Sequence, residues 1–301
     1  MSKKPFWVLA LALLGISVAA PLVRLSVVDA VVIAVWRLGF SLVVVGGFLV
    51  GTAQWRDWRR IARGEWALAI LAGAALALHF WAWNASIHLT TIAASVTLVN
   101  LQPAFVAALS AVLLREAPTR KQVVGIAIAI LGAVTIAAPD FHGGLLNGAN
   151  HPFAGNLLAV SAAVTAAIYY TVGRRLRRSL RIWSYVGLVY AVAFLVLGGI
   201  AVVRGVQLYP QPPREIAIFA ALALGPMMLG HTGMNWALEF LPAYVVNLTV
   251  LGEPVGATLL GALLPGIRQI PSLTTLVGGA IVLGGVVIAA DGASRRSTVN
   301  A

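Results

Sequence analysis

The sequence predicts an all-α integral membrane protein, ten transmembrane helices arranged as two inverted five-helix repeats. Three observations predict it. The 301 residues are 60% hydrophobic and only 10% charged, with a mean hydropathy of +0.93. A soluble domain carries about 25% charged residues. Ten apolar stretches follow one another, each close to the roughly 20 residues that span a bilayer. One stretch then occurs twice: His79 to Pro103 (HFWAWNASIHLTTIAASVTLVNLQP) and His231 to Pro254 (HTGMNWALEFLPAYVVNLTVLGEP). His79 recurs 152 positions later as His231, and Asn84 and Pro103 recur 151 later as Asn235 and Pro254.

The expected spans are 5–23, 30–51, 66–87, 91–114, 121–138, 154–173, 183–203, 215–238, 243–264 and 272–290. The opening MSKKPFWVLALALLGISVAA resembles a secretory leader, with two lysines, an apolar run and small residues. The apolar run continues to about Val23, long enough to span, so it is read as the first helix. Turn residues punctuate the connections: Pro139-Asp140 with Gly143-Gly144, Pro210 with Pro212-Pro213, and Pro265-Gly266. Five spans per half is an odd number, so the halves, 1–140 and 153–291, enter the membrane in opposite directions. Gly125 and Gly132 in span five match Gly278 and Gly285 in span ten, and small residues on one face let helices approach closely in lipid. Asp140 and Asp291 close the two halves.

Lys and Arg set the orientation. With the N-terminus cytoplasmic, sixteen basic residues lie in inner loops or tails, including Arg56 to Arg63 and Arg174 to Arg181. Four, Arg24, Arg204, Arg214 and Arg268, lie outside. Both termini are therefore expected in the cytoplasm, with Trp7, Trp55, Trp58, Trp66 and Trp183 at the inner interface. The net charge of +12 arises in short clusters between spans, which suits anionic lipid headgroups and not nucleic acid. The absence of cysteine excludes disulfides, iron–sulfur clusters and thiolate metal sites.

Polar groups inside spans are expensive and usually face a cavity or a protein partner. His79 and Trp83 are i and i+4 on span three with Asn84 beside them, and His231, Asn235 and Trp236 echo them in span eight. Ser95 joins them from span four. Ser161, Thr165 and Tyr169 form a stripe in span six, next to Tyr170, and span nine adds Tyr244 and Asn247. Glu253 is a carboxylate deep in a span, before Pro254, and its counterpart is Gln102 before Pro103. The two prolines break their helices and are candidate hinges. Glu253 is read either as a substrate or proton site or as a lock between helices. Arg37 lies about seven residues, or roughly 10 Å, from the end of span two. It is expected to snorkel outward or pair structurally, a substrate carboxylate being the alternative. No metal or cofactor is expected, since the histidines lack HExxH spacing and any intramembrane Asp. No GxSxG motif or paired Asp marks a nucleophile, so the chain is not read as an enzyme.

Trp36-Arg37, the run Ala85 to Pro103, Leu113-Leu114-Arg115-Glu116 with Gln122 and Gly125, and the echo Trp236-Ala237-Leu238 to Glu253-Pro254 resemble the drug/metabolite transporter superfamily, in particular its ten-helix EamA-type members. Pro265-Gly266-Ile267-Arg268 departs from that pattern. The paired His, Trp and Asn positions look most like the YddG-type exporters of aromatic and other neutral amino acids. The resemblance implies an inner-membrane exporter of bacterial type with one cavity between the halves. The expected function is therefore a secondary transporter exporting small neutral metabolites, foremost aromatic and apolar amino acids, by alternating access. Its expected partners are that small-molecule substrate and membrane lipids, and the unit is read as a monomer. A cationic-drug exporter using Glu253 is the alternative, and an intramembrane enzyme is the remote one.

Overall fold

The structure, a computed structural model, describes residues 4–114, 118–141, 150–274, 276–282, 284–285 and 287–288. Every regular element among them is helical, as lipid-exposed backbone must be unless it closes a barrel. In order these are α1 (Lys4–Ser17), α2 (Ala19–Leu25), α3 (Ala30–Gly51), α4 (Arg63–Leu89), α5 (Ile92–Val99), α6 (Gln102–Leu109), α7 (Arg120–Phe141), α8 (Pro152–Leu176), α9 (Ile182–Val203), α10 (Pro213–Leu222), α11 (Gly233–Ala237), α12 (Ala243–Leu248) and α13 (Glu253–Leu263). A π-helix (Ala223–Thr232) joins α10 to α11, and a shorter one (Ser110–Leu114) extends α6.

Eight stretches among the described residues are long and apolar enough to cross a bilayer, the first being Lys4–Leu25 and the last Ala243–Leu263. Their ends lie within three residues of eight expected spans. The expected spans 121–138 and 272–290 fall on α7 and on residues 273–288, helical at each described position. Arg115, Glu116, Gly143, Gly144 and Asp291 lie outside the described residues.

Local chemistry explains the breaks. Asp29 caps α3 by accepting from the Val31 N–H at 2.8 Å, and Thr91 caps α5 through Ala94 at 3.1 Å. Ser17 returns its hydroxyl to the Leu13 carbonyl at 2.8 Å where α1 gives way to α2, a bond that tends to bend helices. Pro103 and Pro254 each sit in the first turn of a new helix, α6 and α13. Proline has no N–H to continue the ladder, so the spans built from α5/α6 and from α12/α13 are interrupted near their middles. Asn100 occupies the first break and donates to the Val96 carbonyl at 2.6 Å. The expected single helix over 215–238 is corrected: its middle ten residues are π-helical and contain Pro226.

The α3/α9 pair is tied at both ends. On the basic face, Arg181 forks onto Asp57 at 2.7 and 2.9 Å, and Ser184 donates to the same carboxylate at 2.6 Å. Those bonds, the Arg181 fork first, hold the Asp57 carboxyl below its usual range. Phe48 stacks on Trp183 at 4.4 Å just inside. On the opposite face, Arg204 pairs with Asp29 at 3.2 Å and Trp36 donates to the Leu208 carbonyl at 2.9 Å. The acid comes from the first half and the base from the second in both clamps. Elsewhere α7 meets the 276–288 segment backbone to backbone: a Cβ on Gly132 would stand 2.6 Å from the Gly278 carbonyl, and one on Gly285 2.5 Å from that of Gly125.

Candidate functional site

A cavity lies where the broken spans meet α3, α4, α8 and the π-helix. It is lined by Arg37, His79, Trp83, Asn100, Gln102, Tyr170, His231, Met234 and Glu253, with apolar residues such as Ile16 and Val250 between them. About 40 Å³ is open to the centres of water-sized molecules. One water occupies roughly 10–15 Å³, so the cavity admits water.

Helix geometry brings these groups together. His79 and Trp83 share one face of α4 and lie parallel, with ring centroids 6.5 Å apart. The His79 Nδ1–H donates to the Ala162 carbonyl of α8 at 2.9 Å, leaving Nε2 as the acceptor nitrogen. His231, at the end of the π-helix, meets His79 edge-on with centroids 6.0 Å apart and crosses Phe80 at 88°. The Tyr170 hydroxyl and His231 Nδ1 are hydrogen-bonded at 3.1 Å. Arg37 is completely buried. Its guanidinium lies 4.1 Å over the Phe80 ring, with Nη2 4.0 Å from the Met227 sulfur. The expectation that it snorkels outward is thus corrected: the side chain is wholly enclosed, with Phe80 of α4 and Met227 of the π-helix against its guanidinium.

Of the residues singled out in the sequence, His79, Trp83, Tyr170, His231 and Glu253 reach the cavity wall. Several others do not, each being committed elsewhere. Asn84 donates to the Ala30 carbonyl at 3.2 Å, tying α4 to α3. Ser95 bonds Ser86 at 2.5 Å, tying α5 to α4. Asn235 donates to the Tyr169 hydroxyl, and the Asn247 carbonyl oxygen accepts from Gln102. Trp236 packs at a 50° tilt against Phe240, with centroids 4.6 Å apart, and is not among the residues lining the cavity. The stripe from span six does not persist as a surface: Ser161 and Thr165 bond carbonyls of their own helix at 2.9 and 3.0 Å, while Tyr169 is buried. Pro103 and Pro254 are buried at the starts of α6 and α13.

Sequence reasoning placed Arg37 elsewhere and passed over Asn100 and Met234. Met234 had a signal. The 151-residue offset that carries Asn84 onto Asn235 and Pro103 onto Pro254 carries Trp83 onto Met234, not onto Trp236. The histidines are offset by 152 because one residue fewer separates His231 from Asn235 than separates His79 from Asn84. The π-helix ends within that shorter interval, at Thr232.

A multi-pass helical membrane protein with polar groups gathered at interrupted helices is the architecture of solute transporters. The chain belongs to the EamA-like transporter family, whose sequence profile matches residues 4–138 and 153–290. It is 28% identical over 260 residues to an uncharacterized transporter of Archaeoglobus fulgidus, an alignment covering 83% of this chain and 82% of that protein. A solved crystal structure, 21% identical, shares the fold with a TM-score of 0.69 over 98% of this chain and 99% of the other.

Proposed function

We propose that this transporter exports small neutral metabolites, foremost aromatic and apolar amino acids, by alternating access through the cavity at His79 and His231. The observation that carries the reading is the cavity itself. Its wall takes polar groups from both matched segments: Arg37, His79, Trp83, Asn100 and Gln102 from one, Tyr170, His231 and Glu253 from the other. Opposite charges, neutral imidazole acceptors and aromatic faces suit a net-neutral solute with an apolar side chain. A cation exporter relying on Glu253 alone is less well served, because Arg37 shares the wall. In this reading the chain forms ten spans in two inverted five-helix repeats, 1–140 and 153–291, in a bacterial inner membrane. Pro103 and Pro254 serve as hinges, and the substrate-binding set is centred on His79, Trp83, Tyr170, His231 and Glu253.

Two measurements test it. Protein reconstituted in liposomes preloaded with unlabelled phenylalanine, leucine or threonine should accumulate the labelled amino acid by counterflow. Accumulation of cationic dyes, with none of the amino acids, would overturn the substrate class. For orientation, Tyr209→Cys and Ser179→Cys give the chain, which has no cysteine of its own, one thiol at an exposed position on each face. An impermeant maleimide added outside cells should label position 209 and spare 179. The reverse pattern would overturn the cytoplasmic placement of the termini.

A further inference from the structure

Two side chains on the cavity wall carry donors that nothing among the described residues satisfies. Arg37 is completely buried, yet its Nε and Nη1 have no hydrogen-bond partner, and neither has Nε1 of the nearly buried Trp83. Both groups donate only: guanidinium has no acceptor, and indole has a single N–H. The cation's remaining contacts are soft, the Phe80 face and the Met227 sulfur. A buried charge left in this state costs several kcal/mol unless an anion comes to it. The planar fork of guanidinium matches the two oxygens of a carboxylate.

The same wall holds the complementary pair. Glu253 supplies a carboxylate. Asn100 donates from its amide nitrogen to the Val96 carbonyl and is hydrogen-bonded to Glu253, which fixes the amide's orientation and leaves its oxygen without a donor. Donor side chains, Arg37 and Trp83, and acceptor side chains, Glu253 and Asn100, thus line one small space.

We propose that Arg37 and the Trp83 N–H hold the carboxylate of the transported amino acid while Glu253 and the Asn100 oxygen take its ammonium, so that the site reads the zwitterion. This rests on the amino-acid reading above and assigns Arg37 as the specificity determinant within it. A decarboxylated amine brings a positive charge towards an unneutralised guanidinium, and a deaminated acid brings a negative one towards Glu253. Both pay a desolvation cost that the zwitterion avoids.

The test uses the full chain, purified and reconstituted, and compares L-phenylalanine, phenethylamine and 3-phenylpropionate. Wild type should favour phenylalanine over each of the others by at least tenfold. Arg37→Gln should weaken phenylalanine at least tenfold and bring its ratio to phenethylamine towards one. Trp83→Phe keeps a ring and removes the N–H, so it should weaken phenylalanine more than phenethylamine, and it decides the matter if Arg37→Gln fails to fold. Equal handling of phenylalanine and phenethylamine by wild type would overturn the carboxylate handle while leaving export of amino acids intact. Proportional loss of all three compounds in both variants would reduce Arg37 and Trp83 to packing groups. Failure of wild type to bind any of the three, or any other amino acid, would overturn the amino-acid reading and this assignment with it.

Discussion

Gly285→Ala is expected to lower the thermal midpoint of the purified protein clearly, while Gly284→Ala, one residue away, leaves it unchanged or slightly raised. A Cβ at 285 would stand 2.5 Å from the Gly125 carbonyl and 2.6 Å from the Ala129 nitrogen, both backbone atoms of α7. Neither can swing aside as a side chain would. The helices must separate, at a cost of about 1–3 kcal/mol or more for an overpacked contact. The loss is compounded because dispersion at close approach is what holds helices together in lipid. At 284 a Cβ meets nothing within 4 Å, and replacing a helical glycine by alanine gains up to about 1 kcal/mol. Gly132→Ala should behave like Gly285→Ala, since its Cβ would lie 2.6 Å from the Gly278 carbonyl. Differential scanning fluorimetry in one detergent decides it. Matching midpoints for the 284 and 285 variants would refute this contact.

Trp83→Ala is expected to change which amino acids the protein handles, and Trp236→Ala is not. Trp83 lies on the cavity wall parallel to His79, whereas Trp236 packs at a tilt against Phe240. Losing an aromatic face costs about 0.5–1.5 kcal/mol beyond buried area, and the area adds roughly 25 cal/mol per Å². Together these exceed the 1.4 kcal/mol that corresponds to tenfold in affinity. In Trp83→Ala, apparent affinity for phenylalanine or tryptophan should therefore fall at least tenfold, with a smaller loss for threonine. Trp236→Ala should leave that ratio near wild type. Uptake by proteoliposomes at matched protein content reads it directly. A ratio unchanged in Trp83→Ala would remove this ring from the site.

The helices were legible because lipid enforces them. A run of about 20 apolar residues has few other uses, and eight such runs appear as helices within three residues of their expected ends. The two histidines were legible because an ionisable group in lipid is costly and these recur at matching places. Depth and direction were less so. Arg37 reads as a snorkelling residue when only its distance along the helix is known. Its burial follows from Phe80 of α4 and Met227 of the π-helix closing over it, which is tertiary information. Trp236 was matched to Trp83 because both precede or follow an asparagine, but a half-turn of registry separates the two. The π-helix over Ala223–Thr232 is marked in the local sequence only by Gly225, Pro226 and Gly230. The polar residues Asn84, Ser95, Asn235 and Asn247 were correctly seen as costly in lipid. Their partners turn out to be neighbouring helices, a use that single-residue reasoning does not distinguish from a cavity.

The small volume beside His79 and His231 has a kinetic meaning. In the amino-acid reading, a space this small must widen before phenylalanine can enter it, so an encounter of solute with the unwidened conformation is unproductive however often it occurs. Opening must come first, and the observed rate of binding should level off at high solute concentration at the rate of that opening. The plateau should be the same for phenylalanine and threonine, because it belongs to the protein, while their dissociation rates differ. The measured affinity is then weaker than the intrinsic one by the fraction of molecules open at any moment. A variant that merely props the cavity open would bind every accepted solute more tightly in the same proportion, without a single new contact to any of them.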